Sequence, residues 1–174
     1  MDIFPSCLAP TGEQFENDLN KLLPHFPTMQ VDIADNILVT GQTLTTFEAL
    51  QKLASNPHSA DHTFDFHLMV RDFMPDLRLI QDADSRLHIR FALLHHAADP
   101  APDLFTKQSH RFGLGLVINP DETVDTIIDS IDEKTVDYMF EYGNYEETNS
   151  QFVEDLVVFK KLVITELYNR INNK

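Results

Sequence analysis

The feature that most constrains this chain is a regular alternation of short apolar strand patterns with amphipathic helix patterns along its 174 residues. Strands that alternate with helices are typical of βαβ units, whose strands lie parallel in one sheet. Right-handed crossovers then leave two architectures open, a doubly wound open sheet and a closed βα barrel. We therefore expect an α/β fold, arranged as one domain over residues 1–174.

The spacing of apolar residues and the helix-start signals locate the elements. Thr45 and Glu48 form a capping pair at the start of the second helix, which is expected to bury Phe47, Leu50 and Leu53. Strands are predicted at 3–8, 29–34, 64–70, 87–95, 112–119 and 136–142, and helices from Thr11, from Thr45, and at 73–80, 103–109, 122–131 and 149–172.

The charge and the cysteine content exclude several classes of function. Thirteen Lys and Arg against 28 Asp and Glu give a formal net charge of -15 at pH 7. Nucleic acids and anionic membrane surfaces both require clustered basic residues, so neither is expected as a partner. No apolar run approaches the roughly 18 residues of a membrane span. Cys7 is the only cysteine, so the chain forms no internal disulfide and a reducing cytoplasm is expected.

Polar side chains interrupt two of the apolar strand patterns. Because side chains alternate between the faces of a strand, Asp32 shares a face with Gln30, and His67 shares a face with Asp65 and Met69. A carboxylate and an imidazole that point the same way from neighbouring strands can form half of a metal site or an acid/base pair. Asp32 and His67 are therefore the candidate functional residues.

Four short motifs occur in a specific order along the chain. They are Pro-Ser-Cys-Leu at 5–8, Val-Asp-Ile-Ala-Asp at 31–35, His-Leu-Met-Val at 67–70 and Gly-Leu-Val-Ile-Asn-Pro at 115–120. In this order they resemble the ribulose-phosphate 3-epimerase family, whose strands carry Pro-Ser-Ile-Leu, His-x-Asp-x-Met-Asp-Gly, His-Leu-Met-Val and Gly-Leu-x-Leu-Asn-Pro. The resemblance covers most of the chain. It implies a βα (TIM-type) barrel, incomplete here, with about six βα units visible.

The resemblance also implies a reaction and the residues that carry it. Family members hold a divalent metal, of the Zn, Fe or Mn type, with two histidines and two aspartates, and the aspartates move a proton next to the carbonyl of a sugar phosphate. By position, Asp32 corresponds to a catalytic aspartate and metal ligand, and His67 to a metal ligand. Ser6 and Met69 correspond to residues that contact the substrate. The implied activity is that of an isomerase acting on a pentulose phosphate.

Several positions depart from the family pattern. Gln30 stands where the family has a histidine ligand, and a carboxamide is a poor ligand for a zinc-like ion. Residues 34–36 read Ala-Asp-Asn instead of Met-Asp-Gly, and residues 142–148, with Glu146 and Glu147, replace a glycine-rich phosphate loop. The seventh and eighth βα units are expected to be absent, and with them the second catalytic aspartate. A non-catalytic binding or regulatory protein on the same scaffold is therefore the alternative, and a homodimer that covers the open sheet edges is expected.

Two features of the later strands add minor expectations. His95 aligns with a histidine near the barrel mouth of the family. Gly113 and Gly115 share one face of the fifth predicted strand and indicate room where another side chain crosses.

Overall fold

In the computed structural model, residues 4–101, 104–105, 111–119 and 140–142 are described. Strands and helices alternate along the chain, and the paired strands run parallel, which confirms the α/β fold. The strands are β1 (Ser6–Cys7), β2 (Thr28–Ala34), β3 (Thr63–Met69), β4 (His88–His95), β5 (Gly113–Ile118) and β6 (Phe140–Tyr142). The helices are α1 (Gly12–Leu22), α2 (Thr46–Ser55) and α3 (Met74–Gln81), with short 3-10 turns at Ser59–Asp61 and His96–Ala98.

One compact unit comprises Met1–Leu94 and His110–Leu114. In its sheet, β1, β2, β3 and β4 are neighbours in chain order. The pairing of β2 with β3 is in register along both strands, from Thr28 opposite Thr63 to Ala34 opposite Met69. Almost every residue of the two strands is buried, as is typical of parallel strands covered on both faces.

The second helix begins where the capping pair predicts. The Thr45 hydroxyl accepts from the Glu48 N–H, and the Glu48 carboxylate accepts from the Thr45 N–H, which completes a capping box. The prediction that Phe47 lies in the apolar stripe is wrong, because its side chain is 53 % exposed. The buried face of α2 is formed instead by Thr46, Ala49, Leu50 and Leu53, at the helical spacing of three and four.

The pairing of β3 with β4 contains a β-bulge. Phe64 lies opposite Ile89, but the next residue, Asp65, lies opposite Phe91, so Arg90 is skipped in the register.

The Phe91 ring packs across Gly113, the first residue of β5, as the sequence predicts. A Cβ at Gly113 would lie 2.5 Å from the Phe91 Cε1 atom, so this position requires glycine.

The second compact unit comprises His95–Ser109 and Gly115–Lys174. Its described strands pair in parallel, with Leu116 opposite Phe140 and Ile118 opposite Tyr142. The helices predicted at 122–131 and 149–172 lie outside the described residues, as do most of 103–109 and of the sixth predicted strand. Among the described residues, no helix combines the length and the apolar character that crossing a membrane requires.

Candidate functional site

The structure brings the two candidate residues together. Asp32 of β2 and His67 of β3 are direct neighbours in the parallel register, and each is 3 % exposed. The His67 Nδ1 atom lies 3.2 Å from Asp32 Oδ1. Strand alternation alone therefore predicted correctly that a carboxylate and an imidazole share this buried face.

Gln30 is the third member of the site. Its Nε2 atom donates to Asp32 Oδ1 at 2.8 Å and lies 3.1 Å from His67 Nδ1. The opposite amide orientation would place two acceptor oxygens 2.8 Å apart, so the carboxylate fixes which end of the amide faces it. A single NH₂ group has one hydrogen for each of the two neighbours.

The His67 Nδ1 atom lies close to two groups with opposite requirements. A proton on Nδ1 would suit Asp32 Oδ1, an acceptor at 3.2 Å, but not the Gln30 NH₂ group, a donor at 3.1 Å. An unprotonated Nδ1 would accept from Gln30 but would face the Asp32 oxygen as a second acceptor. Each tautomer therefore gains one of the two contacts, and the hydrogen bond from the Gln30 amide to Asp32 is common to both.

An ion pair with a buried carboxylate and a partly exposed guanidinium lies on the same face, two residues along from Asp32 and His67. Asp65 is in register with Gln30, and its carboxylate accepts from Arg90 Nε at 2.9 Å and from Arg90 Nη2. The Arg90 guanidinium lies over the Phe4 ring at 4.5 Å and near the Phe91 ring at 5.2 Å. The sequence analysis missed this pair, although an acidic residue in one apolar strand and an arginine in the next are a signal for it.

In the register of the sheet, one predicted substrate-contact residue lies two positions before Asp32 and His67, and the other lies two positions after them. Ser6 is in register with Gln30 and is exposed. Met69 is the last residue of β3, in register with Ala34, and is 2 % exposed. Both share a face with the candidate site, and their contact with a substrate stays a prediction.

Asp35 connects the loops that follow β2 and β3. Its Oδ1 accepts from the Ile37 and Leu38 N–H groups, and its Oδ2 accepts from the Arg71 N–H. Desolvation acts to raise the pKa of Asp35, but these backbone donors outweigh it and hold the pKa below its usual value. Asn36 adopts a left-handed φ of 61°, a conformation that asparagine tolerates better than most other non-glycine residues.

The described residues do not fit the divalent metal that the resemblance implies. Asp32 and His67 offer one carboxylate and one imidazole, and the group between them is an amide that presents hydrogen-bond donors. Asp65, the next carboxylate along the face, is held by Arg90 through both of its oxygens. Among the described residues, no three His, Cys, Asp or Glu side chains converge on a point that could hold a metal ion.

His95 belongs to the second unit, where it contacts Asn119. The His95 Nδ1 atom lies 3.1 Å from Asn119 Oδ1, and the His95 side chain is buried. An amide oxygen can only accept, so Nδ1 carries the proton in this contact.

Comparison of the sequence with models of known protein families and with curated proteins found no match. The functional argument therefore depends on the residues and their geometry.

Proposed function

We propose that the chain is an isomerase of the ribulose-phosphate 3-epimerase type, which moves a proton at the carbon next to the carbonyl of a sugar phosphate. The observation that supports this proposal best is the convergence of Gln30, Asp32 and His67 on one face of a parallel α/β sheet. The ordered motifs of the resemblance support Asp32 as the residue that transfers the proton.

The proposed chemistry needs a base and a group that stabilises the negative charge. Asp32 takes the proton, the electron pair of the C–H bond forms a carbon–carbon double bond, and the carbonyl oxygen becomes an enediolate oxygen. Hydrogen-bond donors beside the base would stabilise that oxygen, and the polar groups next to Asp32 are the Gln30 amide and the His67 ring. Return of a proton to the opposite side of the carbon gives the epimer, whereas its return by Asp32 gives exchange with solvent.

The architecture and assembly that belong to this proposal are an incomplete βα (TIM-type) barrel of about six units and a homodimer. The parallel chain order of β1 to β4 supports the barrel. Phe4 and Leu8, which flank the short strand β1, are 42 % and 51 % exposed and support a dimer contact there. A single monomeric mass by light scattering at micromolar concentration would contradict the dimer.

We place the protein in the cytoplasm because its only cysteine, Cys7, is free.

An epimerisation assay tests the activity. Ribulose 5-phosphate is incubated with the protein, and formation of its 3-epimer is measured without metal and with added Zn²⁺ or Mn²⁺. The proposal expects turnover that Asp32→Asn abolishes, because an amide cannot take up the proton. Turnover no faster than that of Asp32→Asn under every condition would overturn it.

The second candidate is a non-catalytic binding or regulatory protein on the same scaffold. The hydrogen bond at Asp32 Oδ1 favours this candidate, because that oxygen already accepts from Gln30. Saturable binding of a sugar phosphate, measured by calorimetry and weakened by Ser6→Trp, together with no turnover, would select this function over the first.

A further inference from the structure

We propose that the Gln30 carboxamide takes the place of a metal ion between Asp32 and His67, so that this site works without a bound cation. The inference rests on the proposed function for the role of the site. Its test measures metal binding, so it can fail or succeed independently of turnover.

The position of the amide carries the inference. A cation that joined the two candidate ligands would contact Asp32 Oδ1 and His67 Nδ1, and these are the two atoms that the Gln30 Nε2 atom approaches, at 2.8 and 3.1 Å. Asp32 Oδ1 and His67 Nδ1 are themselves 3.2 Å apart, so the amide nitrogen lies within hydrogen-bond distance of two atoms that also contact each other. The amide nitrogen thus occupies the space that a cation shared by the two side chains would need.

The surrounding charges give a cation no replacement ligand among the described residues. Asp65 is in register with Gln30 and is the next carboxylate on the face, but the Arg90 guanidinium holds both of its oxygens. A divalent ion would therefore be repelled by the nearby Arg90 guanidinium, which binds Asp65. It would also have to displace the Gln30 amide from its hydrogen bond to Asp32 to reach its ligands.

The test compares metal binding by four folded proteins: the wild type, His67→Ala, Gln30→His and the double variant Gln30→His/His67→Ala. Equilibrium dialysis against Zn²⁺ alone, and against Mn²⁺ alone, gives the metal bound by each. The His67→Ala variant measures binding at other sites, which matters because the chain has 8 histidines.

The wild type is expected to bind no more metal than His67→Ala. Gln30→His removes the blocking amide and supplies an imidazole, so it is expected to gain one equivalent of metal with affinity at least about tenfold above the wild type. The double variant is expected to lose that gain. One equivalent bound by the wild type and lost in His67→Ala would overturn the proposal, and so would a folded Gln30→His protein without any gain.

The comparison of the wild type with His67→Ala needs no substitution at Gln30. It therefore tests the proposal even if Gln30→His fails to fold, because metal bound by the wild type and lost in His67→Ala contradicts the proposal by itself.

Discussion

At the scale of the residue, the buried polar groups of the sheet face are held by partners on neighbouring strands. Asp65 accepts from Arg90 across β3 and β4, and Asp32 accepts from Gln30 along β2 while His67 lies beside both. A buried charge without a partner is costly, so this pairing is what allows polar groups inside an otherwise apolar sheet.

Replacing the two residues of the ion pair between Asp65 and Arg90 should lower stability by unequal amounts. The Asp65 side chain is 4 % exposed, whereas that of Arg90 is 32 % exposed. Arg90→Met leaves a carboxylate buried without its counter-charge and should lower the free energy of unfolding by about 3–5 kcal/mol. Asp65→Asn leaves a guanidinium that reaches water and should cost less. Urea unfolding measures both losses, and a larger loss for Asp65→Asn would contradict the description of the pair.

The thiol of Cys7 is expected to be unreactive in the folded protein. Burial, followed by the nearby charge of Asp18 and the hydrogen bond to it, raises the pKa of Cys7 to about 12 from its ordinary value of 9.0. At pH 8, labelling by a disulfide reagent should require denaturant. Asp18→Asn should leave the thiol protected, because burial is the larger cause. Rapid labelling of the native wild type would show that the thiol is accessible.

The raised pKa of Cys7 also gives a direction for stability against pH. Above pH 9.0 the unfolded chain loses the thiol proton while the folded chain keeps it. The unfolded state then binds fewer protons, so this group lowers the free energy of unfolding as the pH rises towards about 12. A Cys7→Ala variant should show a weaker decline over that range in thermal unfolding.

At the scale of the element, the start of α2 is stabilised by a complete capping box, whereas the hydroxyl at the start of α1 caps the N–H of Gln14. Thr45→Ala should therefore lower the free energy of unfolding by about 1 kcal/mol. Thr11→Ala is the matched control. It should cost less, because the Thr45 hydroxyl makes an additional hydrogen bond to the Glu48 carboxylate that Thr45→Ala also removes. Equal losses in chemical unfolding would contradict the difference between the two caps.

The stability loss caused by Thr45→Ala should also depend on pH. Hydrogen bonds from the Thr45 N–H, and then from its hydroxyl, hold the pKa of Glu48 below its usual value. The stabilisation from this carboxylate is present at neutral pH and is lost as the pH falls through that lowered pKa. The cost of Thr45→Ala should therefore be smaller at pH 3 than at pH 7.

The elements also show where prediction from sequence succeeds and where it ends. Period-two alternation placed Asp32 and His67 on one face, because β2 and β3 pair in register without interruption. The same rule could not place Arg90, since the bulge opposite β3 shifts β4 by one residue and no local pattern marks it. Phe47 was misplaced because only bulky residues were counted as the apolar stripe, whereas the smaller Thr46 and Ala49 join Leu50 and Leu53 on that face.

The position of the Gln30 side chain beside both Asp32 and His67 could not be predicted from sequence, for a different reason. Gln30 occurs where the resembled family has a histidine, and this indicated only a lost ligand. Whether the amide turns towards Asp32 and His67 or away depends on side-chain torsions and on the spacing of two strands, and the sequence specifies neither directly.

At the scale of the whole molecule, the proposed function assigns proton transfer to one carboxylate on a parallel α/β sheet. The site residues Gln30, Asp32 and His67 all belong to the unit that comprises Met1–Leu94 and His110–Leu114. Epimerisation requires proton delivery to both sides of a carbon, but exchange of that proton with solvent requires only one base. Exchange is therefore the reaction that isolates the role of Asp32.

The most direct measurement is loss of the C3 proton signal of ribulose 5-phosphate in D₂O, followed by ¹H NMR with a chelator present. The account predicts that the wild type exchanges this proton for deuterium without added metal and that Asp32→Asn does not. Exchange by the wild type no faster than by Asp32→Asn would contradict the claim that Asp32 transfers a proton at this site.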